Sequence, residues 1–208
     1  MSASIATQLD AVILAGGRAE RLDGASKPDL VLSGRSLLAT AIEAARSAGC
    51  TSIVVVGPPA LEAPGCIVVR EDPPFGGPVA ALAAGLAASA DASPEPAPGV
   101  LVLACDMPAA GAAVARLLAA RSSHDVHAYD GVCLIDASGR EQWLAAIYSR
   151  TALTRAFDAL GGDIDGAAMR RLTASLDLTI VPDRGSTHDI DTWSDLERAR
   201  STRPEAAP

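Results

Sequence analysis

A glycine-rich turn with three basic residues is the first feature of the sequence that could do chemistry. Gly16 and Gly17 follow a short apolar run, and Arg18, Arg21 and Lys27 lie within the ten residues after them. Glycine has no Cβ, so the main chain can approach a ligand closely, and the cations can meet phosphates. The stretch is neither a Walker loop nor a GxGxxG fingerprint. A plain turn with solvated arginines explains the glycines equally well, and the three cations favour phosphate binding.

A single carboxylate stands at the tip of an apolar run later in the chain. The run 100–104 (VLVLA) leads through Cys105 to Asp106, and Pro108 opens the next segment. A carboxylate placed there can hold Mg²⁺ against substrate phosphates, because Mg²⁺ keeps several waters and takes few protein ligands. Asp also caps helices, and taken alone capping is the better explanation of Asp106.

Two more carboxylates alternate near the end of the chain. In an extended segment Asp189 and Asp191 face the same side. Thr192 is placed to cap a following helix, with Asp195 at its third position in a weak capping box. Capping alone accounts for Thr192 and Asp195, and accounts less well for Asp189.

The segment 70–78 (REDPPFGGP) is a fourth candidate. Gly76 and Gly77 permit close backbone approach, and Asp72 could hydrogen-bond a ribose hydroxyl. A turn rich in proline and glycine is an equally good local interpretation.

The remaining reactive side chains form no recognisable site. The three histidines have no metal-ligand spacing, and no Ser/His/Asp or Cys/His pairing suggests covalent catalysis. The four cysteines are scattered without a CxxC pair, so we expect reduced, mostly buried thiols and no structural zinc site.

The elements that must position these residues alternate between strand and helix. Right-handed crossovers then predict a mainly parallel sheet, with ligands beyond the carboxyl ends of its strands. The segment 126–135 contains Asp130-Gly131, a turn pair that suggests a hairpin. Apolar runs and periodicity predict strands at 10–15, 51–56, 66–70, 100–104 and 176–181, helices at 35–49, 78–90, 108–121 and 192–200, and a strand leading into a helix at 140–148.

Bulk properties narrow the class of protein. The chain has 208 residues and a net charge of −8. Its length predicts one domain over 1–208, with a core at about 10–200 and a frayed tail at 202–208. The acidic balance argues against nucleic acid as a partner. The N-terminus has no signal-peptide pattern and no apolar run reaches membrane-spanning length, so we expect a cytoplasmic protein without membrane contact.

Taken in order, these stretches resemble the molybdenum cofactor guanylyltransferase-like (MobA-like) group of nucleotidyltransferases, from about residue 10 to residue 199. The similarity is carried by Leu14-Ala15-Gly16-Gly17, Arg21-Leu22, Lys27-Pro28, Asp72, Gly77-Pro78-Val79-Ala80-Ala81-Leu82, Cys105-Asp106-Met107-Pro108, Gln142-Trp143-Leu144-Ala145-Ala146-Ile147-Tyr148 and Asp189-Ile190-Asp191-Thr192-Trp193-Ser194-Asp195-Leu196. The sequence departs from the family pattern at Asp23-Gly24, Ser26, Gly57, Trp143 and Trp193-Ser194.

The resemblance implies a Rossmann-like three-layer α/β/α fold with a mostly parallel mixed sheet, of the nucleotide-diphospho-sugar transferase type. It implies Mg²⁺-dependent transfer of GMP from GTP to molybdopterin, with release of pyrophosphate. Partners would be GTP or another NTP, molybdopterin and, transiently, molybdoenzymes, with the chain a monomer or homodimer. The implied site comprises catalytic Arg21, Lys27 and Asp106, nucleotide-binding Leu14, Ala15, Gly16, Gly17, Arg18, Lys27, Asp72, Gly77 and Asp106, and metal-binding Asp106, Asp189 and Asp191.

Two alternatives stay open. A sister enzyme would transfer CMP or another nucleotide to molybdopterin or to another small phosphorylated acceptor. A nucleotide-binding regulator without catalysis would fit the departures at Ser26 and Gly57.

Overall fold

A computed structural model of the chain describes residues 8–16, 27–123 and 129–201. In these residues, seven strands form one sheet in the order β5-β4-β1-β6-β8-β7-β9, and β2 and β3 form a small antiparallel pair. The strands are β1 Leu9–Leu14, β2 Val31–Leu32, β3 Arg35–Ser36, β4 Ile53–Val56, β5 Ile67–Val69, β6 Gly99–Ala104, β7 Gly131–Ile135, β8 Glu141–Ser149 and β9 Leu178–Pro182.

Helices cover both faces of the large sheet. They are α1 Leu37–Ser47, α2 Gly77–Asp91, α3 Ala110–Ser123, α4 Arg150–Leu160, α5 Met169–Thr173 and α6 Trp193–Ser201, with a short 3-10 turn at Lys27–Asp29. Along β1 the side chains alternate between faces, as the pleat requires. Ile13 belongs to the core cluster that includes residues of α1 and α3, whereas Val12 belongs to the cluster that includes residues of α2, α4 and α5. The predicted three-layer α/β/α fold is confirmed.

The sheet is mostly parallel, as predicted. β1 pairs in parallel with β4 and β6, and β4 with β5. β8 runs antiparallel to both β6 and β7, and β7 pairs in parallel with β9. The carboxyl ends of the parallel strands and the beginning of β8 therefore lie at the same edge of the sheet.

Close packing between α2 and β1 depends on a single glycine. A Cβ built on Gly85 would lie 2.4 Å from Val12 Cγ1 and 3.0 Å from Val56 Cγ2. A larger residue would therefore separate the helix from the sheet, and interiors at crystal-like density do not absorb such a shift without cost. The absence of a side chain at Gly85 therefore sets how closely α2, whose first residues border the candidate site, packs on the sheet.

Some local predictions need correction. The Asp130-Gly131 pair does not form a hairpin turn, because Gly131 begins β7 and pairs with Tyr148 of β8. The turn between β7 and β8 lies at 136–140, where Asp136 Oδ1 accepts hydrogen bonds from the backbone N–H groups of Ser138 and Arg140 (2.8 and 3.0 Å). The β2–β3 pair and α5 were not predicted. Within the described ranges, no helix has the length and apolar character to cross a membrane.

Candidate active site at the carboxyl edge of the sheet

The two central strands, β1 and β6, end side by side. Leu14 pairs with Ala104, and the N–H of Cys105 donates to the carbonyl of Leu14 at 3.0 Å, which prolongs the pairing by one residue. Gly16 and Asp106 follow directly. The sheet therefore holds a flexible main-chain segment and a carboxylate next to each other, beyond the strands, where open α/β sheets bind ligands.

Three carboxylates converge at this point. Ligand oxygens of Asp106, Asp189 and Asp191 lie within 4.8 Å of one another. The N–H of Ile190 donates to the carbonyl of Asp106 at 3.1 Å, so the two segments are held together through the backbone. An all-oxygen set of this kind suits a hard divalent cation such as Mg²⁺ or Mn²⁺. The three residues predicted as metal ligands are thus brought together.

Lys27 lies against the same cluster. Its Nζ is 2.5 Å from Asp191 Oδ1 and 3.3 Å from Asp106 Oδ2. Burial lowers the pKa of Lys27, but the hydrogen bond to Asp191 and the two negative charges outweigh it and raise the pKa overall. The ammonium therefore stays charged at the site at neutral pH.

Burial also shifts the pKa values of the two titratable side chains that follow β6, Cys105 and Asp106. It raises the pKa of the Asp106 carboxyl, with Asp189 adding to the effect, while Lys27 opposes it. It raises the pKa of the neighbouring Cys105 thiol far above its usual range. A thiol that stays protonated is a poor nucleophile.

The segment that carries Asp189 is shaped by its own hydrogen bonds. The buried Asp183 accepts from the N–H of Gly185 (2.9 Å), and from the N–H (3.2 Å) and hydroxyl of Thr187. After the carboxylates, Thr192 Oγ1 accepts from the N–H of Asp195 (3.2 Å), and Asp195 Oδ2 accepts from the N–H of Thr192 (2.9 Å). The capping box is therefore confirmed, and Asp189 and Asp191 lie between two ordered turns.

Two cavities meet at Asp106. The first, of about 360 Å³, is lined by Leu14, Gly16, Lys27, Glu71, Phe75, Gly77, Pro78, Ala81, Ala104, Cys105, Asp106 and Leu144. The second, of about 510 Å³, is lined by residues of β8 and of the later loops, among them Arg140, Gln142, Trp143, Gly166, Thr187 and Asp189. Asp106 and Leu144 line both cavities. The carboxylate therefore faces two adjoining ligand spaces.

An irregularity in β8 builds the wall between these cavities. The partner of β7 jumps from Ala146 at Cys133 to Gln142 at Leu134, so the residues between them bulge out of the ladder. The buried Tyr148 donates its hydroxyl to the carbonyl of Trp143 at 2.8 Å. Burial raises the pKa of Tyr148 well above its usual value, so the hydroxyl remains a donor.

The predicted site residues fall into three groups. Leu14, Gly16, Lys27, Gly77 and Asp106 line the first cavity, Asp189 lines the second, and Asp191 completes the carboxylate cluster. Ala15 is buried and Asp72 is exposed, and neither lines the described part of the two cavities. Gly17, Arg18 and Arg21 lie outside the described residues.

Several residues that line the first cavity were not assigned to the site from the sequence, among them Glu71 and Phe75. Asp72 was chosen over its neighbour Glu71, yet Glu71 is the buried one and faces the cavity. A signal was present, because Glu71 follows the predicted strand 66–70 at least as closely as Asp106 follows the apolar run 100–104. Arg140 and Thr187 of the second cavity were also missed, and no local pattern marks them.

Comparison with known proteins assigns the family. A family model described as the MobA-like NTP transferase domain matches residues 11–180. Two curated relatives are both named molybdenum cofactor guanylyltransferase. The one from Bradyrhizobium sp. (strain ORS 278) is 41% identical over 41% of this chain and 42% of its own length. The one from Xanthomonas euvesicatoria pv. vesicatoria (strain 85-10) is 34% identical over 72% of this chain and 76% of its own length. The chain belongs to the MobA-like NTP transferase family of nucleotidyltransferases.

Solved structures share the fold. A Mycobacterium sp. strain JC1 homologue of Rv0371c has a TM-score of 0.67 at 23% identity, covering 93% of this chain and 94% of that one. Molybdopterin-guanine dinucleotide biosynthesis protein A from Archaeoglobus fulgidus gives 0.60 at 18% identity, covering 92% and 96%. Rv0371c from Mycobacterium tuberculosis H37Rv in complex with manganese gives 0.61 at 19% identity, covering 94% and 100%.

Proposed function

We propose that this chain transfers GMP from GTP to the terminal phosphate of molybdopterin and releases pyrophosphate, with Mg²⁺ as cofactor. The observation that carries the proposal is the position of Asp106 at the junction of two cavities. A group-transfer enzyme must hold donor and acceptor on either side of the reacting phosphorus, and the name of both curated relatives, molybdenum cofactor guanylyltransferase, supports a guanylyl donor and a molybdenum cofactor acceptor.

The first cavity suits the nucleoside triphosphate. The Gly16 main chain and the Lys27 ammonium lie on its wall, and Lys27 can neutralise phosphate charge without a proton transfer. The Asp106, Asp189 and Asp191 oxygens would hold the divalent cation, which would offset charge on the phosphates as they react. Arg18 and Arg21 are proposed to add positive charge, and Asp72 is proposed to bind the ribose.

The second cavity suits the acceptor. Trp143 offers a partly exposed indole surface on which a pterin ring can stack, and Arg140 offers an exposed cation for its phosphate. The attacking phosphate oxygen forms a bond to the α-phosphorus of GTP while the bond from that phosphorus to the β-phosphate bridging oxygen breaks. A phosphate oxygen is already ionised, so positioning and charge stabilisation replace a general base.

The test is Asp106→Asn in a pyrophosphate-release assay with GTP, molybdopterin and Mg²⁺. We expect a loss of at least about 100-fold in kcat, the size found when one preorganised electrostatic group is removed. Asp91→Asn, at the exposed end of α2, is the matched control and should retain wild-type turnover. Chelation should abolish activity, and Mg²⁺ or Mn²⁺ should restore it.

Substrate panels separate the alternatives. CTP and ATP in place of GTP test the nucleotide, and other small phosphorylated acceptors test the acceptor. Wild-type turnover in Asp106→Asn would contradict the proposed site. GTP binding without product from any acceptor would favour the non-catalytic regulator.

A further inference from the structure

The side chain of Glu71 lies inside the nucleotide cavity with no role assigned to it. We propose that Glu71 reads the guanine base, its carboxylate accepting hydrogen bonds from the N1–H and the 2-amino group. The inference rests on the proposed function only in that the first cavity takes the nucleoside triphosphate. It makes Glu71 a residue that determines which nucleotide binds.

The position of Glu71 fits a ligand contact. It lies two residues beyond β5 and is 7% exposed. A Cβ built on Gly16 would lie 3.9 Å from Glu71 Oε1, so the carboxylate borders the glycine turn across the cavity. Glu71 Oε1 accepts from the N–H of Phe75 at 3.0 Å, and Glu71 makes no other hydrogen bond within the part of the chain described. Each carboxylate oxygen has two lone pairs, so both oxygens keep capacity for a ligand.

Phe75 supplies a surface for the same base. Its backbone has φ 67, in the left-handed region that a bulky residue rarely adopts. Such a conformation persists where surrounding contacts impose it, and the hydrogen bond to Glu71 is one of them. The ring lines the cavity with 54% of its residue surface exposed, and the Arg70 guanidinium carbon lies 5.1 Å from its centroid. An aromatic face held at a cavity wall can stack on a purine.

The sheet order sets the direction of the nucleotide. Glu71 follows β5 and Asp106 follows β6, and β4 and β1 lie between these strands. The Glu71 carboxylate reaches as far as Gly16, at the end of β1, whereas Lys27 Nζ contacts Asp106, which follows β6. A triphosphate is repelled by the carboxylate of Glu71 and attracted by the Lys27 ammonium near Asp106. The base end of the nucleotide therefore points to Glu71.

The chemistry of the base then selects guanine. A carboxylate accepts hydrogen bonds and donates none. Guanine presents two adjacent donors on its Watson–Crick edge, whereas adenine and cytosine each present one donor beside an acceptor. If a hydrogen-bond acceptor of the base faces the carboxylate, neither the base atom nor the carboxylate oxygen has a partner. Sites that hydrogen-bond a donor of their substrate strongly reject an analogue that lacks this donor.

The test is Glu71→Gln, with dissociation constants for GTP, ITP and CTP measured by calorimetry with Mg²⁺ and no acceptor. ITP keeps N1–H and lacks the 2-amino group. The wild type should bind GTP about tenfold or more tighter than ITP, as expected for one hydrogen bond to a charged group. In Glu71→Gln that ratio should fall close to one, and CTP should bind no worse than before.

Glutamine keeps a carbonyl oxygen for the N–H of Phe75, so the loop contact survives in the variant. Glu62→Gln, on the exposed loop before β5, is the matched control and should leave all three constants unchanged. The proposal is overturned if Glu71→Gln weakens all three nucleotides by the same factor, or if the GTP to ITP ratio stays at its wild-type value. Pyrophosphate release by the wild type reports the proposed function separately, so either proposal can fail without the other.

Discussion

Asp10 is a buried carboxylate at the beginning of β1, the end of the sheet opposite to the candidate site. Its side chain is 3% exposed and contacts Arg150 Nη2 at 2.6 Å. Asp10 also accepts hydrogen bonds from the hydroxyls of Thr51 and Ser89, both at 2.9 Å, and from the N–H of Ala97 at 3.1 Å. One carboxylate therefore ties together β1, α2, α4 and the loop before β6.

Asp10→Asn removes the charge while keeping the shape. The Arg150 guanidinium, 18% exposed, then keeps hydrogen bonds to the carbonyl of Ala97 and to Ser89 but has no counterion within the described part of the chain. Removing one partner of a buried pair costs about 3–5 kcal/mol. For a chain of this length each 1 kcal/mol lowers Tm by roughly 2–4 °C, so we expect a fall of about 6–20 °C.

Urea denaturation of the wild type, Asp10→Asn, Arg150→Met and the double variant measures the effect as a cycle. The double variant should lose less than the sum of the two single losses, by about 1–3 kcal/mol, because neither charge is left buried alone. The kcat and KM measured well below Tm should match the wild type, since the network lies far from Asp106. Additive losses, or a loss below about 1 kcal/mol in Asp10→Asn, would refute the reasoning.

Two further predictions concern the loops around the site. Burial is the largest single influence on the pKa of Asp183 and raises it, but the hydrogen bonds together outweigh burial and lower the pKa in the fold. Asp183→Asn should therefore lose about 1–3 kcal/mol of stability at pH 7, and this loss should shrink as urea titrations move from about pH 5 to pH 2. A difference in stability between the wild type and Asp183→Asn that stays constant over this pH range would contradict the prediction. Tyr148→Phe removes the donor to the Trp143 carbonyl, so KM for the acceptor should rise severalfold at an unchanged dissociation constant for GTP, and equal changes in both would count against the bulge as an acceptor wall.

Much of the fold could be predicted because its strands are continuous apolar runs. β1, β4 and β6 are buried along nearly their whole lengths, so hydrophobicity alone marks them. The prediction of a hairpin at Asp130-Gly131 was wrong because a dipeptide reports only local turn preference, whereas strand pairing in the sheet involves residues far apart in the sequence. Asp130 instead bonds to the N–H of Asp177 and to Arg155, which fixes the start of β7 beside β9.

The candidate site was predictable only in part, for a related reason. Asp106 follows an apolar run and Asp189 alternates with Asp191, so local patterns marked both as candidates. The resemblance to a family then placed them in one predicted site. The contact of Lys27 with both Asp106 and Asp191 is a product of tertiary packing, which no spacing reveals. Asp72 was selected as a possible ribose ligand and as the match to the family's acidic residue, and neither argument shows which of two neighbouring carboxylates is buried against the cavity.

Among the described strands of the seven-stranded sheet, β8 alone runs antiparallel to its neighbours, and this explains why two cavities adjoin at Asp106. A parallel strand brings only its carboxyl end to this edge of the sheet, whereas β8 begins there, with Ala145 paired to Leu103 at the end of β6. The residues just before that pair, Trp143 and Leu144, are therefore placed beside Asp106 by topology alone. Trp143 lines the second cavity and Leu144 lines both. Trp143 lines the second cavity and not the first, so the departure from the family pattern at Trp143 falls in the cavity proposed for the acceptor.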